Sequence, residues 1–528
     1  MKAGTAKQSI NNLSTFLRNV GVKEPMYNAL MSLVQYKNLH KVKKIKHVKL
    51  PDTEYVKPQN IFFHCVHCGP VSSIYKECAI AKTLQIMGHK VTMLICNQTL
   101  PFCTGMFNIN TPPNKGMCRN CVQHGTKLFD YLNLDWTSYQ FYINEDEEEK
   151  HMAKGMQEGE LFSVDVSYHA LSSAQRYMKG QRVEKPIYDS KLADAVAAVI
   201  VAKNIFTKEV PDKIVTSHSC YAEWGSFSDF FKAVGVPVYT WYTGYDPKTL
   251  VFDLINIDKN FSTFLTKRSY NTLTEQEQQV LLYYLAQRRR GTADTRYYNF
   301  SDEEEFPPNF VPSKFTFTMY PNLSWDVDPT MSGDFFKDTF DWIDTTINIF
   351  KDLPPDYQLV IRAHPAEKVY QSVVTAEGHI NEKFPDLPNN IIVIGSDNPI
   401  NSYHLFSPTN VGIISNGTVG LEMLMTDIPV IVVGNAHYKD KGFTYDVLSI
   451  DEYKKALQRS MYEIESKQMR DLYAYYYFIK SFIPFPILRH RNFLDIGYNV
   501  KNYQDFINDY YLHHICACIL DDKMFQDW

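Results

Sequence analysis

The sequence predicts an α/β protein with two parallel-sheet halves in succession. Three observations carry the prediction. Short apolar runs recur along residues 58–243 and again along 314–434. Helix-patterned segments fall between those runs, which is the strand–helix–strand rhythm of parallel sheets. The chain of 528 residues is 45% hydrophobic and only 21% charged, enough apolar material for two large cores and a composition that excludes wholesale disorder. At roughly 150 residues per domain, two to four domains are expected. The charge balance, 54 basic against 59 acidic residues, gives −5 and excludes a surface built to coat nucleic acid.

The elements follow in order. Residues 1–57 read as an N-terminal basic extension, helical at first. Its later part, KNLHKVKKIKHVK (37–49), holds six lysines and two histidines without an acid. Such a segment can rest on an anionic membrane at about 1 kcal/mol per cation, or simply be a solvated basic face. No apolar leader opens the sequence, and the apolar run 192–202 is too short to span a bilayer. QNIFFHC (59–65) is a strand, 73–87 a helix, and GHKVTMLIC (88–96) the next strand. Residues 97–126 read as loop, and EDEEE (145–149) as solvated surface. A helix follows over 188–205, then the strand PDKIVTSH (211–218), a helix near 223–234 and the strand VPVYTWY (236–242). The charged stretch 287–310 reads as an interdomain link. A second series has strands at 314–320, 357–364, 390–395, 411–416 and 429–434, with helices at about 334–352, 400–406 and 418–426. The tyrosine-rich remainder is helical. The expected domains are therefore 58–310, with a cysteine-rich insert at 96–121, then 311–480, then a C-terminal helical segment 481–528. The architecture is GT-B-like: two Rossmann-like domains facing a central cleft.

Seven of the ten cysteines lie between Cys65 and Cys121, including the pairs CVHC (65–68) and CRNC (118–121). Cys96, Cys103, Cys118 and Cys121 have the spacing of a zinc loop, so a structural zinc or an iron–sulfur group is one expectation. The plainer one is that Cys96, closing an apolar strand, is a small core residue. Cys65 and Cys68 are an alternative pair of thiols.

In open α/β sheets ligands sit beyond the carboxyl ends of the strands, and the polar motifs fall there. In VIRAHP (360–365), Arg362 offers a fork for a phosphate and His364 a donor or an acid. In SNGTVGLE (415–422), Asn416, Gly417 and Thr418 open a helix whose free N–H groups suit an anion, and Glu422 could accept ribose hydroxyls. Tyr438, Lys439 and Lys441 in GNAHYKDKGFT (434–444) could touch a phosphate or base. Asn322 and Asp326 in YPNLSWD (320–326) should face the site from the hinge side. In the first half, SHSCYAEWG (217–225) and WYTGYD (241–246) supply His218, Glu223 and Asp246 as candidate general bases, with Tyr221 and Tyr245 beside them. His64, His67 and Glu77 are further candidates; Glu223 and His218 rank first. For each side chain the plainer alternative is a polar group satisfied by local backbone or solvent.

The ordered set LxxxGHxV (84–91), SHSCYAEWG, SWD, RxHP, SNGTVGLE and GxxxYxxxGFT resembles the bacterial capsule polysaccharide biosynthesis proteins, the Kdo-transferase-like GT-B glycosyltransferases. The resemblance runs over about 58–480. It implies transfer of a sugar from a nucleotide sugar such as CMP-Kdo to a polysaccharide or lipid-linked glycan acceptor. His364 and the turn Asn416–Thr418 would hold the donor phosphate and Glu422 the ribose. The acceptor would lie near His218 and Tyr221, and no cofactor would be required for the chemistry. The family's turn usually reads NST; here Gly417 replaces the serine. The alternatives are a polyol-phosphate transferase, a nucleotide-sugar epimerase or a non-catalytic scaffold subunit. The expected location is cytoplasmic, with a peripheral place at the inner face of the membrane as the alternative.

Overall fold

The computed structural model describes residues 33, 35–46 and 57–521, apart from 70, 101, 106, 144, 247, 253–256, 291–305, 327–334, 460 and 493–494. Most of the N-terminal extension and of the expected link at 287–310 lies outside the described residues.

The chain divides into two compact units. One gathers the described residues within Met1–Ser173, Lys185–Asn256 and Phe482–Trp528; the other those within Ala174–Glu184 and Ile257–Ser481. These boundaries correct the expected ones. The described residues of 481–528 are no separate domain, the described residues of 257–310 belong with the second series of strands, and a short piece around residue 180 crosses over to join it.

The first unit runs β1 (Asn60–His64), α1 (Ser72–Ile86), β2 (Lys90–Ile95), α2 (Lys115–Leu132), β3 (Asp135–Ser138), α3 (Lys185–Glu209), β4 (Lys213–Thr216), α4 (Ser226–Ala233), β5 (Val238–Thr243) and β6 (Thr249–Phe252). Its sheet has the order β3-β2-β1-β4-β5-β6, closed at the far edge by the strand Phe482–Pro484. The first five strands are parallel; the last two pairings are antiparallel. The four residues of β4 are all buried, as expected of a strand covered on both faces. The C-terminal helix packs on α1, its Cys516 and Ile519 entering the same core as Cys78 and Ala79.

The second unit carries β7 (Phe315–Tyr320), β8 (Tyr357–Arg362), β9 (Ile391–Ile394), β10 (Val411–Ile414), β11 (Val430–Val432) and β12 (Tyr445–Asp446). They pair in the order β9-β8-β7-β10-β11-β12, all parallel. Counted within its own sheet, this is the 3-2-1-4-5-6 order of the doubly wound nucleotide-binding fold, and the first sheet repeats it through five strands. The expectation of two Rossmann-like halves holds for each unit taken by itself.

The order matters because it reverses direction at one place in each sheet. In the second, Ile414 of β10 pairs with Tyr320 of β7. In the first, Thr216 of β4 pairs with His64 of β1. The loops after these strands therefore leave each sheet side by side, at the switch point where such folds bind ligands.

Some local expectations fail. The remainder after residue 481, read as helical, holds the strands Phe482–Pro484, Leu488–Asn492 and Asp495–Tyr498 before its helices. The stretch read as loop to residue 126 becomes helix at Lys115, because the Asn114 side chain accepts hydrogen bonds from Gly116 N at 2.8 Å and Met117 N at 3.1 Å.

Candidate active site

The second unit's switch point is built by three strand-end loops. After β10 the chain turns through Asn416, Gly417 and Thr418 into α5 (Val419–Leu424). At six residues this helix is too short to supply the dipole expected of it. What shapes the turn is Tyr438, fully buried, whose hydroxyl donates to the Gly417 carbonyl at 2.7 Å. Gly420 makes room for that hydroxyl: a Cβ there would stand 2.1 Å from it. A Cβ on Gly417 would stand 3.2 Å from Asn322 Oδ1, so the loops after β7 and β10 touch. The Oδ1 atom of Asn416 is buried without a hydrogen-bond partner among the described residues.

After β8, His364 accepts the N–H of Ala366 on Nδ1 at 3.1 Å. The proton of the neutral ring is then on Nε2, a donor for a ligand. Burial lowers the histidine to about 4, with Arg362 adding to the fall and Asp326 opposing it. The ring is neutral at pH 7.

Several expected ligand contacts are spent inside the protein. Arg362 is 2% exposed; its guanidinium donates to the carbonyls of Gly395, Asn398 and Ile400 and to Ser402 Oγ. It fastens the loop after β9 and is no phosphate fork. Glu422 is buried against Arg288 at 2.8 Å instead of facing a ribose. Tyr438 holds the turn from beneath. Lys441 reaches Asp258 at 2.8 Å and the Lys439 carbonyl at 3.1 Å. Asp326 pairs with Arg176 at 2.5 Å.

In the first unit the switch-point loops are 65–69 and 217–220. His218 is half-buried, its Nδ1 3.1 Å from Ser217 Oγ. Its ring centroid lies 5.1 Å from that of Trp224, 5.4 Å from Tyr242 and 6.5 Å from Tyr221. Tyr221 opens a π-helical turn, Tyr221–Gly225, with φ at +72°. A bulky residue in the left-handed region and a single π turn are both features that mark functional sites. Glu77, on α1, is buried, and desolvation raises it to about 8.

Glu223, ranked first as a base from sequence, is fully buried. Its two oxygens accept Thr104 N at 2.6 Å and Thr104 Oγ1 at 2.9 Å, so it pins the loop 102–104 and is closed to a substrate. His64 is a core residue, stacked 3.9 Å from Phe227 and bonded to Tyr139 Oη at 2.6 Å. Tyr221 is itself buried, Tyr245 stacks on Phe482, and the exposed Asp246 accepts Lys248 N across its own turn.

Cys96, Cys103, Cys118 and Cys121 do come together, joined by Cys68, around a cavity of about 10 Å³. That volume is about one water-sized sphere. None is in a disulfide. Among the described residues no three His, Cys, Asp or Glu side chains stand in an arrangement that could hold a metal ion. The expected four-thiolate site is not formed.

Comparison with known proteins gives a family match over part of the chain. Residues 229–481 match the capsule polysaccharide biosynthesis proteins. The resemblance drawn from the ordered motifs is borne out over that stretch, which includes the whole second switch point. No curated relative matches the chain. Among solved structures, the β-Kdo 2,7-transferase of Thermosulfurimonas dismutans KpsC is 15% identical. That match covers 52% of this chain and 78% of the other, with a TM-score of 0.31. The β-Kdo 2,4-transferase of the same KpsC is 13% identical over 58% and 88%, TM-score 0.34. Anabaena HepE in complex with UDP and glucose is 11% identical over 80% and 95%, TM-score 0.25.

The capsule-family stretch leaves out two cations that pack beside its SWD motif. Arg176 and Lys179 belong to the second unit although they precede it in sequence; Arg176 lies 150 positions from its partner Asp326. The Lys179 ammonium sits 3.5 Å from the Trp325 ring centroid and 5.3 Å from that of Tyr370. Burial lowers it to about 7, with Arg176 adding to the fall and Asp326 opposing it. No local pattern in the sequence announces these residues. Among the described residues no helix is long and apolar enough to cross a membrane.

Proposed function

We propose that the protein is a glycosyltransferase that moves a sugar from a nucleotide sugar to a capsule or cell-surface glycan. The observation that carries this reading is the second switch point, where loops of a capsule-family stretch converge in the strand order of nucleotide-binding folds. Two groups there are suited to a donor. Neutral His364 offers Nε2–H to a phosphate oxygen, whose charge grows as the nucleotide leaves. The Asn416 amide oxygen offers an acceptor to a ribose or sugar hydroxyl. His218 of the first unit is the base for the acceptor hydroxyl, since Glu223 is closed off. General base catalysis of this kind contributes about 10²–10⁴-fold.

A thermal-shift panel of CMP, CDP, UDP, GDP and ADP, run on the native protein and on His364→Ala, tests the donor site. A nucleotide that binds only the folded state adds about 2.7 kcal/mol at a hundredfold excess over its Kd. One nucleotide should raise Tm, and the substitution should remove the shift. If no nucleotide shifts the native protein, the transferase reading fails.

A further inference from the structure

Ahead of the capsule-family stretch in sequence, and packed against it in space, the second unit holds a lysine whose ammonium finds no acceptor. We propose that Lys179 is an anion-binding residue and that its ligand is a phosphate of the donor nucleotide. The inference deepens the transferase reading and rests on it for the identity of the ligand.

The backbone holds the lysine in place. Lys179 follows the helix Val166–Met178 and closes it, its N–H donating to the Gln175 carbonyl at 3.1 Å. Its φ is +54° and that of Gly180 is +93°. The left-handed position after a helix is ordinarily filled by glycine, so a lysine there carries a conformational cost that its surroundings must offset. Those surroundings are two strand-end loops. The Lys179 carbonyl accepts the N–H groups of Val373 at 2.8 Å and Val374 at 3.4 Å. A Cβ on Gly180 would stand 2.8 Å from the Val374 carbonyl and 3.2 Å from Ser324 Oγ, so the turn is pressed against the loops after β7 and β8.

The side chain ends on aromatic faces. Its ammonium lies 3.5 Å from the Trp325 ring centroid and 5.3 Å from that of Tyr370, and the residue is 6% exposed. Among the described residues no hydrogen-bond acceptor and no ion-pair partner meets Nζ. Aromatic rings attract a cation but do not satisfy its three N–H donors, and a buried donor left in that state points to a ligand. Trp325 is itself fixed. Its Nε1 donates to Ser372 Oγ at 2.7 Å, and the residue clusters with Leu323 and Ala366. Ala366 is the residue whose N–H holds His364 Nδ1. Lys179 and His364, whose Nε2–H suits the same phosphate, are thus anchored to one small cluster beyond the paired strands β7 and β8.

The neighbouring charges are few. Arg176, on the same helix, lies 6.0 Å from the Trp325 centroid and is paired with Asp326 at 2.5 Å. Tyr370 presents its ring, and Ser372, Val373 and Val374 carry no titratable side chain. Burial holds the Lys179 amine down at about 7. A phosphate beside it favours the charged form and must raise it.

The test is the titration of Lys179, read from its ¹³Cε signal in the full-length protein labelled in lysine and assigned by Lys179→Met. It is run at constant ionic strength, alone and with an excess of inorganic pyrophosphate, of acetate, or of CMP, CDP, UDP, GDP or ADP. Pyrophosphate and the nucleotide that binds should each raise the midpoint by roughly one pH unit or more, and acetate should leave it in place. Lys179→Met removes a buried charge and should unfold at no lower temperature than the native protein at pH 6. It should nevertheless bind pyrophosphate roughly tenfold more weakly or worse, whereas Lys179→Arg should keep most of the affinity. A midpoint unmoved by pyrophosphate and by every nucleotide overturns the proposal, as does a Lys179→Met protein that binds pyrophosphate as the native one does. A shift with acetate and none with pyrophosphate overturns it in favour of a carboxylate ligand. A nucleotide that binds and leaves Lys179 unmoved overturns it while the transferase reading stands. Pyrophosphate moving the midpoint when no nucleotide binds leaves the phosphate site standing while the transferase reading fails.

Discussion

The residues that matter at the second switch point are supporting ones as much as contacting ones. Tyr438 and Gly420 show this best. The tyrosine hydroxyl holds the Gly417 carbonyl and so fixes the turn carrying Asn416, and glycine at 420 is the condition for its presence. Gly420→Ala should therefore destabilise the protein by roughly 1–3 kcal/mol through overpacking. Tyr438→Phe removes the hydroxyl that the new methyl group would strike, at the cost of its hydrogen bond to the Gly417 carbonyl, about 0.5–1.5 kcal/mol. The two costs should not add: urea unfolding of the double variant should show it losing clearly less than both singles together. Additivity would mean that the methyl is accommodated elsewhere. The sequence read Tyr438, in the strand-end loop GNAHYKDKGFT, as a group that could touch a phosphate or base. It could not show that the side chain arrives from below, since direction depends on how β11 and α5 pack. The same limit applies to Glu422 and Arg362. Their chemistry suits a ligand, and only the positions of Arg288 and of the loop 395–402 reveal that they are already engaged.

At the scale of elements the strands were legible and the unusual turns were not. Each run of Val, Ile and Phe that ends in a polar motif became a parallel strand within two or three residues of its expected limits, because full burial on both faces demands unbroken apolar sequence. The stretch 223–234 was read as one helix. It begins instead with the π turn Tyr221–Gly225, which period alone does not distinguish. The turn has a cause in packing. A Cβ at Gly225 would stand 2.2 Å from the ring of His169, which is itself held by Asp229 at 2.8 Å. Gly225→Ala must push the ring away or unwind the turn that precedes α4. It should cost roughly 1–3 kcal/mol by urea unfolding. It should also alter the fluorescence of Trp224, the residue before it. His169→Ala in the same chain should recover much of the loss, whereas a Gly225→Ala protein as stable as the native one would show that the turn does not depend on this contact.

For the whole molecule, the interleaving of 174–184 and 482–521 with distant units was hidden because no sequence pattern marks a chain that leaves a unit and returns. A further whole-chain property follows from the described residues together: they bury an unusual set of titratable groups, and these fix where stability peaks. Of the histidines that burial lowers, five fall furthest, His64 and His437 to about 3 and His67, His124 and His364 to about 4. The unfolded chain binds protons at these sites below about pH 6.5 and the folded chain does not, so their contribution grows as pH rises from 4 to 6.5 and is then constant. Of the carboxyls that burial raises, three rise furthest, Glu77 and Asp194 to about 8 and Glu367 to about 7. Here the folded chain binds the extra protons, and stability falls as pH climbs from the ordinary carboxylate range to about 8. Between pH 4.5 and 6.5 the five histidines outweigh the three carboxyls; above 6.5 only the carboxyls still act in that direction. Lys82, lowered to about 8, and Lys179, lowered to about 7, soften the decline at its upper end. Thermal unfolding in buffers of constant ionic strength should give a Tm maximum between about pH 6 and 7, with a steeper loss on the acid side. His437→Gln removes one acid-side group without entering the donor turn and should flatten that limb. A maximum above pH 8 would require the three carboxyls to be ionised in the folded protein, and the environment assigned to Glu77 would then be wrong.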